Sequence, residues 1–238
     1  MKTQPSKRHF PYQHPTFGSI RNPKPETAWK GTVYYWWWAY LKRSERYIAC
    51  CERGGTGELS DLYADFGDVR GDSFKQWWLE DSRGLRLFAE PRGEDSVRIL
   101  TPEDQVLSQS EALTVSLPLY LPRRHLERAF KQLLAQVHPG KRGIQLAKHS
   151  QARYPVQGQP NTKALQRGLE VYDRWKSSKE PLWKIGNDLP GIIRTQKIKP
   201  AELKGEEMLK RRALAATVRR YISRVQQTIE RVEQGIFP

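Results

Sequence analysis

The sequence is poor in cysteine and contains no long apolar run. Its two cysteines, Cys50 and Cys51, are neighbours, and adjacent helical residues point too far apart for an unstrained disulfide or half of a zinc site. No run of about eighteen apolar residues is present that could cross a membrane. The first fifteen residues also lack the apolar core of a signal peptide. We therefore expect a cytoplasmic protein with no structural disulfide and no membrane partner.

Motifs for catalysis and cofactor binding are also missing. The five histidines are scattered without the spacing of a zinc site, and no GxxxxGK[ST] phosphate loop occurs. Carboxylates suit Mg²⁺, but the acidic residues of one stretch have no diagnostic spacing. These are Asp61, Asp65, Asp68, Asp72, Glu80 and Asp81. We expect no enzyme, no cofactor and no metal, with a Mg²⁺-dependent nuclease as the third alternative.

Positive charge is abundant but unevenly distributed. The 238 residues carry 41 Lys and Arg against 26 Asp and Glu, a formal net charge of +15. Residues 1–120 contain 16 basic and 16 acidic residues, so residues 121–238 hold the entire excess, with 25 basic and 10 acidic. Such asymmetry indicates one part that binds a polyanion and another part with a different role. We expect two domains, the C-terminal one basic.

The first half of the chain is expected to contain a flexible arm and an aromatic domain. Five prolines in residues 1–28 disfavour regular structure and predict a flexible basic arm. From Trp29 onward, an aromatic helical pattern is closed by Gly54 and Gly55, and two short helices follow at 57–69 and 72–81. Residues 29–120 form the predicted α+β domain.

Three short segments in that domain have the composition of strands. They are LRLFAEP at 85–91, SVRIL at 96–100 and ALTVSLPLY at 112–120. They predict a short antiparallel sheet. The expected fold class is therefore mostly α with a small antiparallel β element.

Residues 121–238 are predicted to form the basic helical domain. A helix is expected over 121–137, followed by a basic linker that contains Lys141, Arg142 and Lys148. Helices then follow from Asn161 or Thr162, over EPLWKIGNDL, and from about residue 206 to Gly235. The last helix has an apolar stripe of Leu214, Val218, Tyr221, Ile222, Val225, Ile229 and Val232.

The opposite face of this last helix is the candidate nucleic-acid site. Arginine donates in a planar fork that fits phosphate oxygens or a guanine edge, while Ser, Thr and Gln can position or read bases. A solvated charged face is the simpler alternative for any single helix. The candidate residues on this helix are Arg212, Thr217, Arg219, Arg220, Ser223, Arg224 and Gln227, and those before it are Lys184, Arg194, Lys197 and Lys199.

Two segments, LWKIGNDLPG and LAATVRRYISRVQQTI, resemble the halves of a helix-turn-helix of the sigma-factor region-four or response-regulator type. The resemblance covers about 50 residues. It implies that Thr217 and Val218 open the base-facing part of a recognition helix and that Ile185, Val218 and Ile222 lie in the core. This sequence departs from the pattern because residues 192–210 replace the usual turn of three or four residues.

The first half is faintly similar to uncharacterised phage and mobile-element proteins of proteobacteria. The similarity lies in YYWWWAYLKRS, LYADFGDV, FKQWW and RLFAEP. Consecutive tryptophans cover more than one helix face, so at least one of Trp36–Trp38 is expected to reach the domain boundary or a partner. We expect self-association or another protein partner at this Trp-rich domain.

The sequence thus favours a non-enzymatic protein that binds duplex DNA through its C-terminal helix. The expected role is transcription regulation or nucleoprotein assembly in a bacterial mobile element, close to the nucleoid. The alternative is an RNA-binding subunit of a guide-RNA complex, because a basic domain also suits an A-form helix.

Overall fold

The computed structural model describes residues 8–19, 21–91, 113–137, 150–189, 197–199 and 203–238, and these are mostly helical. The expected mostly-α class is therefore confirmed. In chain order the elements are β1 (Arg8–His9), α1 (Thr27–Lys30), α2 (Val33–Leu41), α3 (Glu45–Glu52), α4 (Ser60–Phe66), α5 (Phe74–Leu79), a 3₁₀ turn (Glu80–Ser82), α6 (Arg83–Phe88), β2 (Glu90–Pro91), α7 (Arg123–Val137), α8 (Thr162–Ser177), α9 (Leu182–Asp188) and α10 (Lys204–Glu233).

The predicted antiparallel sheet is not confirmed. LRLFAEP was expected as a strand, but residues 85–88 belong to helix α6 because Leu87 and Phe88 turn together into the core. Residues 113–120 form no strand, and residues 96–100 lie outside the described part. The described sheet instead joins β1 and β2, two residues each, with Arg8 opposite Pro91 and His9 opposite Glu90.

The prediction of a flexible N-terminal arm is wrong for residues 8–19 and 21–28. Phe10 packs on Tyr34 and Trp78, with ring centroids 5.6 and 5.8 Å apart. Phe17 packs similarly on Trp29. The Tyr12 hydroxyl donates a hydrogen bond to the Gly158 carbonyl. Prolines prevent long helices here, but the aromatic side chains between them fix the segment to the core as an extended strap.

The long aromatic helix expected from Trp29 is interrupted. It ends at Leu41, and α3 starts after Ser44, whose hydroxyl accepts a hydrogen bond from the Tyr47 amide at 2.9 Å. A serine before a helix relieves one of its unpaired amide donors, so it permits a new helix to begin at this point. The break lets α2 and α3 run in different directions while both remain packed on the core.

The two-domain arrangement is not confirmed, because buried residues of both halves form one hydrophobic cluster. Phe237, which is fully buried, contacts Trp37 and Tyr40 with ring centroids 5.4 and 5.5 Å apart. The Tyr40 hydroxyl donates to the Leu165 carbonyl at 3.1 Å. Gly168 lies at this junction, where a Cβ would be 2.9 Å from the Tyr40 hydroxyl. Helices α2, α8 and α10 therefore share one core.

Polar contacts reinforce this junction. Arg43 donates two hydrogen bonds to the Asp173 carboxylate, at 3.1 and 2.7 Å. The Ser44 hydroxyl donates to Glu233 at 2.6 Å, and Arg46 donates to the other oxygen of the same carboxylate at 2.8 Å. These pairs join residues that are 130 or more positions apart in the sequence. The Glu233 contacts hold the last turn of α10 against the start of α3, and the Arg43 pair joins the end of α2 to α8.

The predicted C-terminal helices are confirmed. Helix α7 occupies Arg123–Val137, and the Asn161 side chain caps α8 by accepting from the Ala164 amide at 3.1 Å. Gly235 follows the end of α10 with a φ of +72°, a conformation that glycine adopts without strain. Among the described residues, no helix is both long and apolar enough to span a bilayer.

Candidate nucleic-acid interface

Helix α10 is fixed to the protein along one side. Its buried residues are Leu214, Val218, Ile222, Val225, Ile229 and Val232, and Tyr221 beside them is half-buried. This stripe is the one expected from the sequence. Ile185, Val218 and Ile222, expected as core residues, are all buried. The orientation of the opposite side follows from this burial, because successive residues turn by about 100° around a helix.

The opposite side presents a row of polar residues to solvent, here called the arginine face. It consists of Arg212, Arg219, Arg220, Ser223, Arg224 and Gln227, all of which are exposed. Thr217 lies at its edge and is half-buried, and its hydroxyl accepts a hydrogen bond from Arg220 at 3.1 Å. The structure therefore brings together the candidate residues that the sequence placed on this helix.

Positive charge on the arginine face is uncompensated. Arg212, Arg219 and Arg224 form no side-chain hydrogen bond or ion pair with any residue that the structure describes. The sequence from Met208 to Ile229 includes six basic residues and no acidic one. Unpaired guanidinium groups on a rigid helix form a surface that attracts phosphate.

About half of the arginines elsewhere in the described structure pair with a carboxylate. Arg43, Arg70 and Arg174 each pair with a carboxylate at 2.6 to 2.8 Å. Hydrogen bonds to Glu180 and Asp188 raise the pKa of the Arg174 guanidinium above its usual value. The contrast distinguishes the arginine face from arginines that serve to hold helices together.

Helix α9 packs closely against the middle of α10. Gly186 is buried, and a Cβ there would lie 3.1 Å from Val218 Cγ2 and 3.3 Å from Leu214 Cβ. Gly186, which belongs to the segment LWKIGNDLPG, therefore lies at a close helix crossing. Thr217, however, lies more than three turns after the start of α10. Helix α10 therefore begins well before Thr217 and Val218, the residues that the resemblance places at the start of its base-facing part.

The basic residues around α9 have different surroundings. Lys184 pairs with Glu180 at 2.7 Å, and this hydrogen bond raises the pKa of the lysine. Its charge is therefore partly neutralised. Lys197 and Lys199 are exposed on a short segment that is fixed to α9, because the Ile198 amide donates to the Asn187 side chain at 2.9 Å. Four other candidates, Lys141, Arg142, Lys148 and Arg194, lie outside the described residues.

One further arginine of α10 was not a candidate in the sequence. Arg211 stacks on the Trp183 ring, 4.2 Å from its centroid, and pairs with Glu207 at 2.5 Å. The spacing of Glu207 and Arg211 by four residues is a signal that could have indicated the ion pair. The contact with Trp183 joins α9 to the first half of α10. This contact could not be predicted from residues that are neighbours in the sequence.

Trp36, Trp37 and Trp38 are buried, and Trp37 lies at the predicted domain boundary, where it contacts residues of the C-terminal half; a protein partner at this cluster stays a prediction. Their exposed fractions are 8%, 0% and 5%, and Trp77 and Trp78 are buried as well. The reason is that the C-terminal half covers the side of α2 that the domain prediction left open. Trp37, for example, contacts both Tyr154 and Phe237. The aromatic cluster is therefore used within the chain.

The acidic residues of the N-terminal half are engaged in separate contacts. Asp65 is buried and accepts hydrogen bonds at 2.6 Å from Arg153 and from the Tyr154 hydroxyl. Asp68 accepts from Arg70, which lowers the pKa of that carboxyl. Within the described ranges, no three His, Cys, Asp or Glu side chains lie close enough together to hold a metal ion.

The two cysteines remain unbonded. Both lie buried on α3 as free thiols. Burial raises the pKa of Cys51 above that of an ordinary thiol, which disfavours the reactive thiolate. The arrangement matches a packing role on the inner side of α3.

No protein-family model matches this chain, and neither a curated protein nor a solved structure matches it.

Proposed function

We propose that this chain is a non-enzymatic protein that binds duplex DNA through the arginine face of α10. The observation that carries the proposal is the row of exposed arginines, none of them ion-paired with a described residue, opposite the buried side of the helix. A helix of this width fits the major groove of B-form DNA. The helix is held rigidly by the core, so few degrees of freedom are lost when the arginines meet phosphates.

The composition of the face supports a nucleic-acid ligand over a simple solvated surface. Arginine donates to phosphate in a planar fork, and Ser223 and Gln227 between the arginines can donate to or accept from base edges. A solubilising face usually mixes charges of both signs, whereas the middle of α10 carries one sign only. The proposed role is a regulator or nucleoprotein component of a bacterial mobile element, located with the nucleoid in the cytoplasm.

The test is a fluorescence-anisotropy titration of the full chain against labelled duplex DNA at several salt concentrations. Each arginine that contacts a phosphate contributes about 0.9 to the slope of log K against log salt. If all four arginines of the face contact phosphates, the slope should be about −3.6 or steeper. The double variant Arg219→Ala/Arg220→Ala should reduce the magnitude of the slope by roughly 2.

A matched control is available in the N-terminal half. The double variant Arg53→Ala/Lys75→Ala removes the same charge from two exposed positions outside α10, and it should leave the slope nearly unchanged. Equal losses for both double variants would show that binding depends on net charge alone. Tighter binding to duplex RNA than to DNA would assign the protein to the guide-complex alternative, and no binding at low salt would refute the proposal.

A further inference from the structure

Helix α7 has an apolar side that the rest of the described structure does not cover. None of its fifteen residues is buried, and none belongs to or packs on the hydrophobic core. Leu134 and Val137 are 37% and 52% exposed. The only described side-chain contact of the helix is internal, between Arg123 and Glu127 at 2.7 Å. A strongly amphipathic helix with an open apolar side predicts a partner.

The apolar positions of α7 have the spacing of a helix-pairing seam. Leu126, Phe130, Leu133 and Val137 follow one another at intervals of four, three and four residues, which is the a/d pattern of two helices that pack side by side. The flanking positions on one edge are Ala129 and Gln136, which carry no charge. Glu127 on the other edge is already paired within its own helix.

Three of the four Lys and Arg residues of α7 lie away from this seam, whereas Arg123 lies at its N-terminal end and is paired with Glu127. Arg124, Arg128 and Lys131 are exposed and project roughly 140° to 200° around the helix from Leu126. If the apolar side lay on a membrane, these cations would be about one helix diameter, 10 Å or more, from the headgroups. That separation exceeds the screening length of about 8 Å in physiological salt. The arrangement therefore disfavours an anionic bilayer as the occupant.

The same arrangement favours a second copy of this chain. When two α7 helices pair through their seams, Arg124, Arg128 and Lys131 of both copies point outward and do not oppose each other. The segment before α7 adds further apolar surface, since Leu119 and Tyr120 are 85% and 87% exposed. With Leu113, Leu117, Leu134 and Val137, these side chains offer on the order of 600 Å² at about 100 Å² each. A stable interface buries about 800 Å² per partner, so these side chains supply roughly three quarters of the area that a stable dimer needs.

We propose that the apolar seam of α7 is a homodimer interface, formed with α7 of a second copy of the chain. The inference is independent of the proposed function, because it concerns a different helix and a different chemistry. A dimer would carry two arginine faces, and two linked sites bind a long ligand more tightly than one.

The experiment is sedimentation velocity on the full, nuclease-treated chain from about 1 to 100 μM in high salt, where nucleic acid cannot bridge copies. The test variants are Leu133→Glu and Val137→Glu, each of which places a charge in the seam. The matched control is Ala135→Glu, which adds the same charge on the exposed side of the same helix. Because no α7 residue is buried, each variant should have the same melting temperature as the wild type when both are monomeric.

The expected result is a dimer for the wild type and for Ala135→Glu, and a dissociation constant raised at least tenfold in both seam variants. A wild type that stays monomeric at 100 μM, or seam variants that dimerise as well as the wild type, would overturn the proposal. So would a monomer that floats with vesicles of three parts phosphatidylcholine to one part phosphatidylserine, because the bilayer would then be the occupant.

Discussion

Removal of the Phe237 side chain should lower the free energy of unfolding of the whole protein, including its N-terminal half. Phe237 is fully buried between Trp37 and Tyr40, and its backbone carbonyl accepts a hydrogen bond from the Gln157 amide at 2.8 Å. Replacing a buried phenylalanine by alanine costs about 3–5 kcal/mol, because apolar contacts are lost and a cavity remains. For a chain of this size, that loss lowers the melting temperature by roughly 10 °C.

The assay compares two probes of the Phe237→Ala variant during urea unfolding. Tryptophan fluorescence reports mainly on the first half, since six of the eight tryptophans lie between residues 29 and 78. Circular dichroism at 222 nm reports on all helices. If the core is shared, both probes should shift together by the same free energy. The control is Lys75→Ala, at an exposed position of α5, which should change stability by less than about 0.5 kcal/mol.

Separate transitions would contradict this reasoning. Suppose that the fluorescence transition of the variant keeps its wild-type urea midpoint while part of the circular dichroism signal is lost at a lower urea concentration. The two halves would then be independent domains. The contacts of Phe237 with α2 would then contribute nothing measurable to folding of the first half. If both probes show that the free energy of unfolding falls by less than about 1 kcal/mol, the neighbouring side chains must close around the missing ring.

Three further predictions concern individual side chains. Gly186→Leu should cost about 1–3 kcal/mol by thermal denaturation because its side chain would overlap α10, whereas Gly205→Ala, with open space around it, should stabilise by about 0.5 kcal/mol or more. Asp65→Ala should cost about 2–4 kcal/mol because it leaves a tyrosine hydroxyl and an arginine unpaired, whereas exposed Asp61→Ala on the same helix should be nearly neutral. Asp68→Asn should lower the free energy of unfolding by less than about 1 kcal/mol at neutral pH. Because folding lowers the pKa of Asp68 from its ordinary 3.8, the difference between variant and wild type should vanish as the pH falls below 3.8 and through the folded pKa.

Local signals in the sequence were sufficient for most helices. Asn161 or Thr162 was expected to begin α8 from its position before an apolar pattern, and the Asn161 side chain accepts the hydrogen bond of a cap. The stripe and the opposite face of α10 follow from helical periodicity alone. Such features depend on residues within four positions of each other, so the sequence displays them directly.

The tertiary contacts could not be predicted in the same way. Trp37 and Phe237 are 200 positions apart, and Arg43 and Asp173 are 130 apart, so no periodicity relates them. The charge difference between the halves suggested two domains, but charge is a property of surfaces, whereas domain boundaries depend on buried contacts. Residues 85–88 were misassigned because a short apolar run fits a strand and a buried helix equally well.

The shared core also limits how this protein can be modified. In a modular DNA-binding protein, the helix that contacts the ligand can be exchanged or expressed by itself, because its domain folds alone. Here the last turn of α10 and Phe237 fill space between α2 and α3, so a transplanted α10 would lose the packing that orients its arginines. Under the proposed function, changes in specificity would therefore arise by substitution on the exposed side of α10, within an otherwise unaltered chain.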